Sequence, residues 1–410
     1  MSSSVAKLSP RQIVQELLNA PEVVESFRYF EQSAAEITKE HIAICSVPAS
    51  PFDEVARGEF LRDKFVEIGL ANVSIDPIGN VLGTFKGNSD QPLMVVSAHL
   101  DTVFAKDTDF TVRHEDQRLF SPGISDDGCG LAALLAMSRA LVQSKIRING
   151  SILFVGTVGE EGEGNLRGVR YLFTEGPYAN HVDYFLSFDG AGVDRITNQA
   201  LGSRRYRVTL RSQGGHSWGD FGIPNPVHAL GRAIARLSSY PLPKEPRTTF
   251  NVGKVHGGSS VNAIPSEASM DVDLRSCDEN ELRRLDSYFR RAVVEAVEQE
   301  NSTRRPGDAP MKGDVDLVGD RPSGVTPATS LFVELALEAT RAVGVEPQLE
   351  QSSTDSNFPI SLGIPAITFG AGGIAAGSHT LDEWYDPVHR DVGLKRGLLV
   401  ILGTVGLSSQ

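Results

Sequence analysis

The sequence predicts an α/β fold with a mixed, mostly parallel sheet, interrupted by an inserted α+β domain. Apolar runs of strand length alternate with helix-like segments up to about residue 200 and again after residue 326, as in βαβ units. Between these regions the apolar residues alternate with period two, which is typical of half-exposed strands. We therefore expect one domain at residues 1–202 and 325–410 and a second domain at residues 203–324.

The individual elements follow from the spacing of the apolar residues. Residues 10–70 are predicted to be helical with a break at Pro48 and Pro51, because proline ends helices. The other predicted elements of the first domain are strands 93–98, 151–158, 182–188, 347–351 and 365–370 and helices 129–144, 165–174, 328–343 and 391–405. Those of the second domain are strands 206–211, 249–255, 268–274 and 315–318 and helices 226–239 and 279–300.

The composition restricts the class of protein. A net charge of −13 argues against nucleic acid and against an anionic membrane as partners, since both favour basic surfaces. The three cysteines are widely spaced and form neither a disulfide framework nor a CxxC zinc motif. Residues 1–7 lack the apolar core of a secretory signal, and no apolar stretch approaches membrane-spanning length. We expect a cytoplasmic protein.

Four apolar runs of the first domain end in side chains that bind metals. They lead into His99-Leu100-Asp101, Glu160-Glu161, Asp189 and, through glycines, His379. Functional groups gather at the carboxyl ends of the strands in open α/β sheets, so these residues together predict a metal centre. Glu160-Glu161 is the most telling of these, although a solvated loop is an alternative. The other three are weak evidence alone, because a surface pair or a lone turn histidine would also explain them.

Several of these side chains have individual interpretations. Asp101 points to the same side of its strand as His99 and can accept a hydrogen bond from the second ring nitrogen of that histidine. Asp126-Asp127 precedes a helix, where one aspartate suffices as the N-cap; we favour Asp126 as a ligand that bridges two cations and leave Asp127 structural. Glu160 and Glu161 repel each other unless their roles differ, as for a general base beside a metal ligand.

Five motifs occur in the order found in the dinuclear zinc exopeptidases, a superfamily that includes peptidase T, glutamate carboxypeptidase, aminoacylase and acetylornithine deacetylase. They are His99-Leu100-Asp101-Thr102-Val103, Gly123-Ile124-Ser125-Asp126-Asp127, Glu160-Glu161-Gly162, Phe188-Asp189 and Ser378-His379-Thr380. The sequence resembles this superfamily over roughly residues 40–405. The resemblance implies a zinc-exopeptidase catalytic domain, with the inserted domain serving as a lid and dimerisation domain.

The resemblance also implies a set of roles. Asp126 would bridge two zinc ions, His99 and Asp189 would complete one site, and Glu161 and His379 the other. Cobalt or manganese are the expected substitutes for zinc. Glu160 would be the general base, and Asp101 would orient His99. Relatives usually carry lysine after the aspartate pair, whereas this chain has Gly128-Cys129 and Cys129 is expected to be a buried packing thiol.

Further positions resemble those of the lid and of the substrate site. His216 resembles the lid histidine that donates a hydrogen bond to the developing oxyanion, with a solvated turn histidine as the alternative. Asn262 and Arg275 match positions that grip substrate, although a strand-end salt bridge would also explain Arg275. Asp355 and Asn357 lie in a segment that resembles a substrate-lining turn.

The expected function is that of a zinc aminopeptidase of the peptidase T type acting on short peptides. The resemblance supports this through Asp189, since aspartate at that ligand position tends to accompany aminopeptidases. The alternative is a carboxypeptidase or an amidohydrolase of N-acyl amino acids. A catalytically silent binding protein is disfavoured, because it would not need Glu160. We expect a homodimer formed through the lid domain.

Overall fold

A computed structural model gives the fold and describes residues 8–408. The segment 1–7, on which the absence of a secretory signal was predicted, lies outside the described residues. The chain divides into two compact units, the first comprising Met1–Ala200 and Val325–Gln410 and the second Leu201–Gly324. The sequence placed these boundaries at residues 203 and 324.

The first unit is built on a large mixed sheet, ordered β1-β2-β6-β3-β7-β17-β8-β15 with β16 paired to β8. These strands are β1 (Ala71–Ile75), β2 (Val81–Phe85), β3 (Leu93–His99), β6 (Ser151–Thr157), β7 (Tyr184–Phe188), β8 (Arg195–Ala200), β15 (Gly324–Val325), β16 (Gln348–Ser352) and β17 (Ala366–Phe369). The four central strands pair in parallel, whereas β1, β2 and β6 pair antiparallel. A small antiparallel sheet is ordered β18-β19-β5-β4 and consists of β4 (Arg113–Glu115), β5 (Arg118–Phe120), β18 (Ile374–Ala376) and β19 (Trp384–Asp386).

Helices cover both faces of the large sheet. They are α1 (Pro10–Asn19), α2 (Pro21–Gln32), α3 (Ala34–Cys45), α4 (Val55–Ile68), α5 (Gly128–Gln143), α6 (Arg167–Thr174), α9 (Leu331–Ala342), α10 (Asn357–Ser361) and α11 (Arg390–Val405). Alternate residues of β3 enter different apolar layers: Met94 and Val96 pack with α5 and α11, and Leu93 and Val95 pack with α6. Because both faces are buried, the central strands read as continuous apolar runs.

The second unit packs two helices on one face of a four-stranded antiparallel sheet, ordered β11-β13-β9-β14. Its strands are β9 (Gly202–Arg211), β10 (Gly215–His216), β11 (Thr248–Gly257), β12 (Ala263–Ile264), β13 (Glu267–Ser276) and β14 (Lys312–Arg321), and its helices are α7 (Pro226–Ser238) and α8 (Glu279–Ser302). Tyr206, Val208 and Leu210 of β9 are buried under the helices, as period-two alternation predicts. The predicted α/β architecture with an inserted α+β unit is confirmed.

The sequence did not predict β1, β2, β8, α10 or the strands of the small sheet. β1 and the short strands carry few buried apolar residues, so they have little of the periodicity that identified the others. Within residues 8–408, none of the helices is long and apolar enough to cross a membrane.

Candidate metal centre

The predicted ligands all lie at the carboxyl edge of the parallel strands in the first unit. His99 is the last residue of β3, and Asp189 directly follows β7. Glu161 lies in the loop after β6, Asp126 in the turn before α5, and His379 in the loop between β18 and β19. The fold therefore delivers five side chains to one place from five separate segments, as the parallel arrangement predicted.

These five residues form two groups that share Asp126. One group is His99, Asp126 and Asp189, and the other is Asp126, Glu161 and His379; within each, the ligand atoms lie within 4.8 Å of one another. Oδ1 of Asp126 lies 3.0 Å from Nε2 of His99, and Oδ2 lies 3.1 Å from Nε2 of His379. The two oxygens of one carboxylate thus face two different histidines, which is the arrangement that a bridging ligand requires.

Glu161 is the third member of the second group, and its Oε1 lies 2.9 Å from Nε2 of His379. A third combination, His99 with Glu160 and Glu161, satisfies the same 4.8 Å limit. Glu160 is only 4% exposed, so its carboxyl group is sequestered beside the ligands. Position alone therefore fits Glu160 either as a base or as a further ligand.

Asp101 acts differently from the prediction. The Nδ1–H group of His99 donates to the backbone carbonyl of Asp101 at 2.9 Å, while the Asp101 carboxylate lies 3.8 Å from that nitrogen. The carboxylate instead accepts from the backbone N–H groups of Glu160 at 3.0 Å and Glu161 at 2.8 Å. The predicted orientation of His99 by the side chain of Asp101 is therefore wrong: the backbone fixes the ring, and the carboxylate fixes the glutamate pair.

Asp127 caps α5, as expected, and it also braces the site. One oxygen accepts from the backbone N–H groups of Gly130 and Gly190 at 3.1 and 3.2 Å, and the other accepts from that of His99 at 3.1 Å. A Cβ atom at Gly130 would lie 2.2 Å from the Asp127 carboxylate, so the cap requires glycine there. Asp127 therefore ties the start of α5 to the segments that carry His99 and Asp189.

The electrostatics of the cluster are dominated by buried negative charge. Burial, reinforced by the charge of Asp126, holds the pKa of Asp189 well above its usual range. Hydrogen bonds to Asp126 and Glu161 raise the pKa of His379 to about 10. Burial opposes charging of the His99 ring, yet the hydrogen bond to Asp126 and the neighbouring aspartates hold the pKa of His99 well above its usual value. In the absence of a cation, protonated imidazoles therefore supply the positive charge that these carboxylates need.

The donor set fits divalent metal ions. Each group combines imidazole nitrogen with carboxylate oxygen and contains no cysteine, a combination that suits hydrolytic zinc. Cys129 is buried, and its thiol donates to the backbone carbonyl of Ser125 at 3.0 Å, as expected of a packing residue. Metal binding would replace the protons on His99 and His379, since ligating histidines must be neutral.

Two predicted substrate residues of the first unit are buried. Asp355 is 1% exposed and accepts from the Thr157 hydroxyl at 2.5 Å, while its other oxygen, Oδ1, has no hydrogen-bond partner. Burial, with the charge of Glu160, raises the pKa of Asp355 to about 7. Asn357 is fully buried and accepts from the backbone N–H of Thr354 at 2.9 Å. Both residues lie beneath the surface, and their bonds to Thr157 and Thr354 support the ends of neighbouring strands; their contact with substrate stays a prediction.

Three predicted residues belong to the second unit. Nε of Arg275 donates to Asp273 at 2.6 Å, so the salt-bridge alternative holds for this residue. The antiparallel pairing of β10 with β12 brings His216 close to Asn262, whose backbone carbonyl accepts from the N–H group of Ser217 at 2.9 Å. Both His216 and Asn262 are exposed.

The local turn fixes the ring of His216. Nδ1 accepts from the backbone N–H groups of Trp218 and Gly219 at 3.2 and 3.3 Å. Nδ1 is therefore the acceptor nitrogen, and the ring proton resides on Nε2.

The sequence missed a further participant, Glu383, which accepts hydrogen bonds from the turn that carries Asp126. No local pattern of the sequence marked Glu383, because its partners Gly123, Ser125 and Asp126 lie more than 250 residues before it.

Comparisons with known proteins find similar sequences and similar folds. The sequence model described as peptidase family M20/M25/M40 matches residues 95–402. Carboxypeptidase G2 of Pseudomonas sp. (strain RS-16) is 25% identical over 328 residues, which cover 76% of this chain and 75% of that protein. The crystal structure of aminopeptidase PepT from Bacillus cereus ATCC 10987 superimposes with a TM-score of 0.73 at 21% identity and covers 91% of this chain and 99% of that one. The YXEP protein of Bacillus subtilis, a dinuclear metal-binding peptidase, gives a TM-score of 0.67 at 17% identity and covers 92% and 100%.

Proposed function

Since the chain belongs to peptidase family M20/M25/M40, and is thereby a metal-dependent peptidase or amidohydrolase, we propose that it is an aminopeptidase of short peptides with two zinc ions per chain. The observation that carries the two-ion proposal is the Asp126 carboxylate, whose oxygens face His99 and His379 separately. His99 and Asp189 would hold one ion with Asp126, and Glu161 and His379 the other. Bound zinc polarises a carbonyl and makes a water molecule acidic enough to react near neutral pH.

Glu160 is the proposed general base. It lies directly beside the ligand Glu161, is 4% exposed, and has its backbone N–H held by Asp101 at 3.0 Å. A carboxylate so placed takes the proton of the attacking water and returns it to the leaving amine. The burial of Glu160 excludes bulk water from this transfer.

His216 of the second unit is the proposed donor to the oxyanion. Because its Nδ1 accepts two backbone hydrogen bonds, Nε2–H is the group available to a substrate carbonyl. We propose that the second unit serves as the lid and dimerisation domain of a homodimer, and that Asn262 contacts substrate there. Three free cysteines support the proposed cytoplasmic location.

The aminopeptidase assignment is supported by Asp189 and by the likeness of fold to PepT. The alternative, a carboxypeptidase or N-acyl amino acid hydrolase, is supported by the sequence likeness to carboxypeptidase G2. Hydrolysis of tripeptides, dipeptides and N-acetyl amino acids by the zinc-, cobalt- or manganese-loaded protein would separate them. Release of the N-terminal residue from tripeptides is expected; cleavage restricted to N-acyl amino acids or to the C-terminal residue would favour the alternative, and no hydrolysis of any of them would favour a silent binding protein.

A further inference from the structure

The carboxylate of Glu383 accepts four hydrogen bonds from the turn that carries Asp126. Oε1 accepts from the backbone N–H groups of Ser125 at 2.8 Å and Asp126 at 2.9 Å and from the Ser125 hydroxyl at 2.6 Å. Oε2 accepts from the backbone N–H of Gly123 at 2.8 Å. Glu383 is 0% exposed, so all four bonds form away from solvent.

Glu383 also belongs to the loop that carries His379. Its backbone N–H donates to the carbonyl of Thr380 at 3.3 Å, and its own carbonyl accepts from the N–H of Ser121 at 3.2 Å. The next residue, Trp384, pairs with Phe120 in the small sheet. Glu383 thus connects the loop of His379 to the turn of Asp126. These two segments must keep a fixed relative position if His379 and Asp126 are to face the same cation.

The chemistry of the contacts requires a carboxylate. All four groups that face Glu383 are donors, and an ionised carboxylate offers acceptors without a donor. A glutamine of the same shape would turn its NH₂ group towards at least one backbone N–H. Burial raises the pKa of Glu383, while the bonds from Ser125, Gly123 and Asp126 oppose this shift.

The other side of the same turn is held by neutral contacts. The Nε2–H group of His41 donates to the carbonyl of Ile124 at 2.7 Å, and the thiol of Cys45 contacts the carbonyl of Gly123 at 3.8 Å. These contacts fix the carbonyls of the turn, whereas Glu383 fixes its N–H groups, including that of the shared ligand. The orientation of the Asp126 side chain therefore depends on both.

We propose that Glu383 is a positioning residue that sets the bridging geometry of Asp126 relative to His379. This inference rests on the two-metal centre of the proposed function. Without the Glu383 carboxylate, the turn loses the charged acceptor of the Asp126 N–H, and the two oxygens of Asp126 no longer face their two histidines in a fixed orientation. Metal affinity and coordination geometry depend on such supporting contacts.

The test is Glu383→Gln, with Glu300→Gln as the matched control. Glu300 of α8 is also a buried carboxylate, 5% exposed, and accepts from the backbone N–H of Asn225 at 3.0 Å and from Arg232, but it lies in the second unit. Metal-free proteins are titrated with Zn²⁺ by calorimetry and with Co²⁺ while the visible spectrum is recorded. For Glu383→Gln we expect affinity for at least one ion to fall about 10–100-fold and the saturated cobalt spectrum to change. For Glu300→Gln we expect wild-type affinity and spectrum, whatever its thermal stability.

The outcomes separate the two proposals. Wild-type affinities and an unchanged cobalt spectrum in folded Glu383→Gln would overturn the role of Glu383 while leaving the two-metal centre intact. Wild-type protein that binds fewer than two ions would overturn the proposed centre itself. If Glu383→Gln fails to fold, Ser125→Ala decides, since it removes one of the four bonds and leaves the carboxylate in place. Its expected loss of affinity is about tenfold, and wild-type affinity would contradict the inference.

Discussion

Glu160 and Glu161 offer a direct test of how the metal centre divides its work. They are adjacent, are 4% and 7% exposed, and have their backbone N–H groups held by the same Asp101 carboxylate. Glu160→Gln and Glu161→Gln therefore each replace one carboxylate by an amide, at neighbouring positions whose backbone is held by Asp101. Each variant is the matched control of the other for folding and for loss of charge.

The two substitutions have different expected magnitudes. Glu161 belongs to the group with Asp126 and His379, so Glu161→Gln leaves His99, Asp126 and Asp189 intact, and zinc content should fall from two ions per chain to about one. Glu160→Gln should retain both ions, while kcat falls about 10²–10⁴-fold because the proton acceptor is lost. That loss corresponds to about 2.7–5.4 kcal/mol of activation free energy.

The assay pairs elemental analysis of zinc-reconstituted, gel-filtered protein with kcat at saturating tripeptide. His99, Glu160 and Glu161 also lie close enough together to bind one metal ion, so Glu160 could be the ligand and Glu161 the base. Metal content distinguishes this exchange of roles from the proposed assignment. Loss of one ion from Glu160→Gln together with full metal content in Glu161→Gln would refute the assignment of base and ligand. Undiminished turnover of Glu160→Gln would refute its role as the base.

The remaining predictions concern the metal centre and His216. Chelation should abolish hydrolysis, and zinc, cobalt or manganese should restore it; activity that survives complete removal of metal would contradict the metal-dependent mechanism. Because hydrogen bonds to Asp126 and Glu161 raise the pKa of His379 from 6.5 to about 10, its contribution to the stability of the metal-free fold is fully present below pH 6.5 and is lost as pH rises towards 10. Thermal unfolding in EDTA should show this loss of stability in the wild-type protein and not in His379→Ala. Binding of Zn²⁺ near pH 7.5 should also release protons, which calorimetry in buffers of different ionisation enthalpy detects. His216→Ala should lower kcat about 10²–10³-fold with zinc retained. Mixed dimers of His216→Ala and Glu160→Ala chains should regain activity if His216 acts across the dimer, and a fully active monomer would exclude that arrangement.

Much of the first unit could be predicted because its signals are local. The central strands are buried on both faces and therefore appear as unbroken apolar runs, and His99 and Asp189 directly end or follow such runs. Parallel pairing then requires the ends of these runs to meet at one edge. The structure brings the five predicted ligands together there for this reason.

The contacts that the sequence could not predict depend on backbone direction or on distant residues. Spacing placed Asp101 on the side of His99 but could not show that its carboxylate turns to the N–H groups of Glu160 and Glu161. The burial of Asp355 follows from its contact with Thr157, 198 residues away. Glu383 meets Asp126 across 257 residues, and no local pattern distinguishes it from the acidic residues of a surface loop.

The shared position of Asp126 also bears on how this protein folds. Asp126 and His379 are 253 residues apart, and the second unit, Leu201–Gly324, accounts for about half of that separation. Insertion of this unit roughly doubled the length of chain that must close before the two ligands meet, at an entropic cost of only about 0.6 kcal/mol for a flexible loop. The larger consequence is kinetic, because contacts so remote in sequence form late. Nascent or refolding chains should therefore acquire tight zinc binding at the end of folding, when residues on both sides of the insertion have joined one sheet.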